Sequence, residues 1–236
     1  MCMLFVKPEN FTLPENHFNS LWDYNPDGLS IYNFAEKRIF QTLDINKAKS
    51  YLDDNHDVQL VVHFRLGTSG KKSLDQLHGW DILNKKYKFF HNGILKTFKG
   101  NKELSDTQQL VNMFNTMPDL TIQDVVNYLE QFETTGRFLI VDVSNNSVIR
   151  PNCAEWHDVI NIDGTEIQYS NDYAIDWSLI NGDIDQYLFD HDEGDESSMM
   201  ELDYLIHNGT TKELIDYITV NPSAAAYYLK SEVAQW

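Results

Sequence analysis

A thiol directly behind an initiator methionine, Met1-Cys2, is the first group in this chain that could do chemistry. Removing Met1 would leave a thiol and a free α-amine on one residue, so the nucleophile would carry its own general base. An α-amine with a pKa of about 8 can take the thiol proton directly or through a water. Cysteine is intrinsically nucleophilic and needs only partial ionisation at neutral pH. Taken alone, Cys2 reads as a small apolar residue opening a strand, Met1-Cys2-Met3-Leu4-Phe5-Val6, and by itself that plainer reading is preferred.

Four further segments bear on the choice. His63-Phe64-Arg65-Leu66-Gly67-Thr68-Ser69-Gly70 follows the apolar run Leu60-Val61-Val62 and turns through two glycines, a place where a scaffold presents polar groups. His91-Asn92-Gly93-Ile94 offers an amide and a glycine N–H that could face an oxyanion, where each donor is worth about 2.7–4 kcal/mol of transition-state stabilisation. Its plainer reading is a type I′ hairpin turn between Tyr87–Phe90 and Ile94–Phe98. Ser105-Asp106-Thr107-Gln108 reads as a helix start, and Asn25-Pro26-Asp27-Gly28 as a turn.

In this order and spacing the segments resemble the glutamine amidotransferase domain of class II, a branch of the N-terminal nucleophile hydrolases. The family pattern is Met-Cys at the start, then His-x-Arg-x-x-Thr-x-Gly, then His-Asn-Gly, then Asp-Thr at a helix start. The resemblance covers roughly residues 1 to 180, includes Asn25 to Gly28 and Tyr169-Ser170-Asn171, and is closest to short stand-alone members such as those encoded by bacteriophages. It implies that Cys2 attacks the side-chain amide of L-glutamine to form a glutamyl thioester, with Asn92 and Gly93 as the oxyanion pair. Arg65 would hold the α-carboxylate with its bidentate fork. Asp106 would hold the α-ammonium, and Thr68 with the Gly67 to Gly70 turn would complete the cradle. Two positions depart from the family: Ser69 stands where synthases often carry His, and Leu66 where they carry a bulky aromatic, so closure over glutamine is expected to differ.

The elements that must present these groups read as α+β. Strands are expected at Met3–Val6, Leu29–Phe34, Arg38–Leu43, Val58–Phe64, Tyr87–Phe90, Ile94–Phe98, Arg137–Val143, Ser147–Arg150, Val159–Ile162 and Glu166–Tyr169, mostly antiparallel, with turns at Asn145-Asn146 and Asp163-Gly164. Helices are expected at Ile45–Leu52, Asp106–Phe114 and Ile122–Phe132, each opened by a capping residue. The resemblance adds the stacking order, a four-layer αββα sandwich of two antiparallel sheets. Residues 1–185 would form the amidotransferase domain, 186–200 an acidic linker, and 201–236 a small helical appendage, with helical spacing over Met199–His207, Lys212–Ile218 and Ser223–Ala234.

Composition narrows the partners. The 236 residues carry 42% hydrophobic and 13% aromatic content, enough for a real core, and a net charge of −18 that argues against a nucleic-acid backbone as ligand. Asp183 to Glu201 is dense in carboxylates; Asp190, Asp192 and Glu201 have the spacing of a calcium loop, but Asp195 stands where that loop needs glycine, so a solvated linker is expected. With Cys2 and Cys153 as the two cysteines, no zinc spacing and no apolar run near a membrane span, the expectation is a cytoplasmic protein (host cytoplasm if phage-encoded). No metal or cofactor is expected, Cys153 reads as a buried or half-buried thiol, and His63 and His91 read as hydrogen-bonded core histidines. The ammonia acceptor would lie on a separate chain, since no P-loop, dinucleotide fingerprint or sugar-phosphate domain is present. Two alternatives stay open: an amidase of the same fold acting on another small amide, and a non-catalytic interaction protein built on it.

Overall fold

The computed structural model describes residues 2–67, 70–95, 97–98, 103–162, 165–171 and 173–175, all within the unit Met1–Ile180. The expected acidic linker, the helical appendage, Thr68, Ser69 and the Asp163-Gly164 turn lie outside the described residues. Ten strands alternate with four α-helices among those described, in the order β1 (Met3–Lys7), α1 (Glu15–Tyr24), β2 (Leu29–Asn33), β3 (Arg38–Thr42), α2 (Ile45–Asp54), β4 (Leu60–Phe64), β5 (Trp80–Ile82), β6 (Tyr87–Asn92), α3 (Asp106–Thr116), α4 (Ile122–Phe132), β7 (Arg137–Asp142), β8 (Ser147–Ile149), β9 (His157–Ile162) and β10 (Thr165–Tyr169). The expectation of an α+β chain with antiparallel strands agrees with this: one sheet runs β3-β2-β4-β1-β10-β9, the other β5-β6-β7-β8, and every pairing is antiparallel.

Both faces of each central strand are apolar, which is why the strands read as continuous hydrophobic runs rather than alternating ones. Successive residues point to opposite sides. Met3, Phe5, Leu60, Val62 and Phe64 of the first sheet pack against Phe18, Leu21 and Trp22 of α1 and Ala48 and Leu52 of α2. Phe89, Phe138 and Ile140 of the second sheet pack against Leu110 and Phe114 of α3 and Val125 and Leu129 of α4. A third cluster joins Leu4, Tyr32 and Val61 of one sheet to Phe90, Leu139 and Val141 of the other. The arrangement is compatible with a sandwich, its fully buried aromatic and aliphatic side chains each contributing about 1.5–3 kcal/mol. Among the described residues no helix is long and apolar enough to cross a membrane.

Three helices begin where local chemistry says they should. Asp44 accepts from the Asn46 and Lys47 N–H groups, Ser105 from Gln108 N–H, and Thr121 forms a full capping box with Asp124. The fourth, α1, has Pro14 at its N-cap and no side-chain cap, so its only local signal is the apolar face of Phe18, Leu21 and Trp22. The expected strand at Ile94–Phe98 is absent: Ile94, Leu95, Thr97 and Phe98 are in no strand, and Asn92-Gly93 makes no hairpin. Instead β6 runs on through His91 and Asn92, paired with Phe138 and Arg137 of β7, and ends where Gly93 takes φ +145°. The partner of β6 on its other side is β5, a short strand not expected from the sequence, joined through a turn in which Leu83, Asn84 and Lys85 all have positive φ. That turn has neither Gly nor Pro to mark it.

Candidate functional site

Cys2 immediately precedes β1, where β4 and β10 flank it. Asn171, just past β10, donates its side-chain N–H to the Cys2 carbonyl at 2.6 Å. One residue earlier Ser170 holds Leu4 from both sides, its Oγ accepting Leu4 N–H and its N–H donating to Leu4 C=O, both at 2.9 Å. The Cys2 Sγ faces the residue after Arg65, accepting Leu66 N–H at 3.4 Å and donating to Leu66 C=O at 3.5 Å. Burial pushes the thiol pKa up, partly offset by the Leu66 N–H, so the resting group is a thiol that needs a base. Cys153 is a half-buried thiol, as expected, pushed up to about 11 by burial and by Glu130 and Glu133.

Arg65 leaves the end of β4 into a clasp made by the Asn25 to Gly28 turn. Asp27 N–H donates to Arg65 C=O (3.0 Å), Arg65 N–H donates to Gly28 C=O (2.9 Å), and Gly67 N–H donates to the Asp27 carboxylate (2.8 Å). Lys72 pairs with that carboxylate at 3.2 Å and also donates to Pro26 C=O. The Arg65 guanidinium lies over Gly67 so closely that a Cβ there would sit 2.6–2.8 Å from its atoms. The absence of a side chain at Gly67 is therefore what leaves room for the arginine head.

Asp106 opens α3. Its Oδ2 accepts Leu95 N–H at 2.9 Å and its Oδ1 accepts Thr107 N–H at 2.7 Å, both close to the positive end of the helix dipole. The helix start is itself anchored, because Gln76 accepts Ser105 N–H (3.1 Å) and donates to the Gln108 side chain (2.6 Å). Thr107 Oγ1 contacts His91 Nδ1 at 2.9 Å, tying α3 to the end of β6.

These segments meet at one open pocket. Its walls bring together Cys2, Arg65, Gly93 and Asp106, joined by His78 and His91. Asn92 is not on the wall: it is buried, its side-chain N–H groups donate to Ser170 Oγ at 2.8 Å and Ser170 C=O at 3.4 Å, and among the described residues its Oδ1 has no partner. Thr68 lies outside the described residues.

Three buried histidines adjoin the pocket, His78 and His91 on its wall and His63 stacked on His78. The His63 and His78 rings stack at 3.9 Å and 12°, His91 stacks on Phe138 at 4.6 Å and 14°, and His78 Nδ1 accepts the His91 backbone N–H at 3.1 Å. Burial holds His63 down to about 3, with Arg65 and His91 adding to the effect. Burial also holds His91 down to about 4 against the opposing pull of Asp106, and His78 well below the ordinary value. All three are neutral at physiological pH. The expectation of hydrogen-bonded core histidines holds for His91 but not for His63, whose two ring nitrogens are both buried and have no hydrogen-bond partner among the described residues. His78 was not expected in the site, because the contacts that define it come from β4 and β6 rather than from its own neighbours. Among the described residues no group of three or more His, Cys, Asp or Glu side chains is arranged to hold a metal ion. No family model and no curated protein matches this chain.

Proposed function

We propose that this chain hydrolyses the side-chain amide of L-glutamine through Cys2, as a glutamine amidotransferase of class II on the four-layer αββα fold of the N-terminal nucleophile hydrolases, and delivers ammonia to an acceptor on a separate chain. The observation that carries this reading is that Cys2, Arg65, Gly93 and Asp106, far apart in sequence, wall the same pocket. A zwitterionic amino acid with a terminal amide needs a cation, an anion and an acyl-transfer centre, and those four residues supply them. The two apolar layers outside the sheets and the one between them are compatible with the αββα order.

In the reaction, the Cys2 thiol gives its proton to the freed α-amine and sulfur bonds to the amide carbon. The carbonyl oxygen becomes an oxyanion facing Gly93 N–H, joined by Asn92 once its amide turns from Ser170. The C–N bond then breaks, nitrogen takes the proton from the amine and leaves as ammonia, and water releases glutamate from the thioester. Arg65 and Asp106 hold the amino-acid end still, which converts the attack into an intramolecular step. Intact mass of the purified protein, with a glutaminase assay on wild type and Cys2→Ala, tests this. The expected result is loss of Met1, glutamate release by wild type and none by the variant; retention of Met1, or release unaffected by the substitution, overturns it.

A further inference from the structure

Cys2 and Asn92 belong to different sheets. Cys2 leads into β1 of the six-stranded sheet and Asn92 ends β6 of the four-stranded one, so no strand ladder sets the distance between nucleophile and oxyanion amide. Ser170, one residue past β10 and fully buried, bonds to both segments. Its Oγ accepts Leu4 N–H at 2.9 Å and its backbone N–H donates to Leu4 C=O at 2.9 Å, which fixes it to the strand that carries Cys2. The same Oγ accepts the Asn92 side-chain N–H at 2.8 Å. Asn171 extends the grip on the nucleophile's own residue, donating to Cys2 C=O at 2.6 Å.

The two contacts that Asn92 makes with Ser170 are unequal. A hydroxyl oxygen has two lone pairs, and those of Ser170 Oγ are taken by Leu4 and Asn92. The bond to Oγ is short, whereas the second contact, to Ser170 C=O, is 3.4 Å long, beyond the roughly 2.7–3.2 Å of a well-formed N–H···O bond. Among the described residues Asn92 Oδ1 has no partner, so Ser170 is what orients the amide. A turn about the short bond gives up only the weaker contact and frees one N–H. Resting on the glutamine reading above, we infer that Ser170 is a positioning residue. Its Oγ is the pivot that ties the Asn92 amide to the strand carrying Cys2, so that one amide N–H stays on Ser170 while the other donates to the oxyanion formed at Cys2.

The test is steady-state glutaminase kinetics on the full chain for wild type, Ser170→Ala, Ser170→Thr, Asn92→Ala and the double variant Ser170→Ala with Asn92→Ala. Ser170→Ala is expected to lower kcat about tenfold, the scale of one hydrogen bond, with KM little changed. Ser170→Thr keeps the hydroxyl and should retain most of the rate. Asn92→Ala should lower kcat about 100- to 1000-fold, as loss of an oxyanion donor does, and adding Ser170→Ala to it should lower kcat no further. A role confined to holding Leu4, and with it β1, would instead lower kcat equally with and without Asn92. Equal losses in the two backgrounds, a change confined to KM, or no change in Ser170→Ala overturns the assignment.

A measurement on the unsubstituted chain stands beside the variants, in case they fail to fold. The diazomethyl ketone analogue of L-glutamine alkylates a nucleophilic thiol: sulfur bonds to the terminal carbon, the thiol proton passes to that carbon, and dinitrogen leaves. In a crystal structure of the wild-type adduct, Asn92 Nδ2 should lie within hydrogen-bond distance of both the ketone oxygen and Ser170 Oγ. An adduct in which Asn92 meets the ketone oxygen without Ser170, or Ser170 without the ketone oxygen, overturns this assignment alone. A wild type that neither releases glutamate from glutamine nor is alkylated at Cys2 overturns the proposed function and this assignment with it.

Discussion

At the scale of single residues, the pocket depends on what is missing as much as on what is present. Gly67 leaves the space that the Arg65 guanidinium fills. Gly67→Ala is expected to push that flexible head aside and raise KM for L-glutamine about tenfold or more, the cost of one misplaced charged contact, while the melting temperature changes little. Kinetics together with a thermal melt would check it; a lowered melting temperature with KM unchanged would contradict it. Arg65→Lys should fail to restore binding, because an ammonium cannot reproduce the bidentate fork, and titration with L-glutamate would measure that. These residues were legible as motif positions, but Gly67 could not be read as making room for Arg65, since that depends on how the loop folds back on itself.

At the scale of elements, α3 and α4 start with comparable side-chain caps, but only the first carries a pocket residue on its opening turn. Ser105→Ala and Thr121→Ala should each cost about 1 kcal/mol of stability. Only Ser105→Ala should also raise KM, because fraying at Ser105 loosens Asp106. Paired denaturant melts and kinetics would separate the two effects, and equal kinetic losses would count against Asp106 as a ligand. The Asn92-Gly93 pair shows the limit of local reading. Its composition favours a hairpin turn, yet the aromatic run before it is buried on both faces and continues in register with β7, more than forty residues downstream. Pairing with a distant strand outweighs local turn preference when it keeps Phe89 and Phe90 covered on both sides.

At the scale of the whole molecule, three buried neutral histidines make the fold sensitive to acid. A histidine whose folded pKa lies below its unfolded value of about 6.5 contributes stability that is fully present above that pH and is lost as pH falls toward the folded value. For His63 and His91, held down to about 3 and about 4, the window of loss runs from about pH 6.5 downward. Each can remove about 1.4 kcal/mol per pH unit within it. His63→Phe keeps a ring against His78 and removes two nitrogens that have no hydrogen-bond partner among the described residues. The variant is expected to lose less stability than wild type between pH 7 and pH 4.5, as denaturant midpoints across that range would report. A parallel decline in both proteins would show that His63 does not titrate on unfolding.

What the sequence by itself determined was local: the capped starts of α2, α3 and α4, the apolar runs that became sheet interiors, the Asn145-Asn146 turn, and the residue types able to hold an amino acid and attack an amide. These depend on interactions within a few residues, so composition and spacing reveal them. The uncapped α1, the Gly-free turn from β5 into β6, the burial of Asn92 against Ser170 and the entry of His78 into the pocket were decided only by tertiary structure. Each arises from desolvation and hydrogen bonds between segments that meet only after the two sheets have formed, and burial, not residue type, sets the protonation of the histidines and of Cys2.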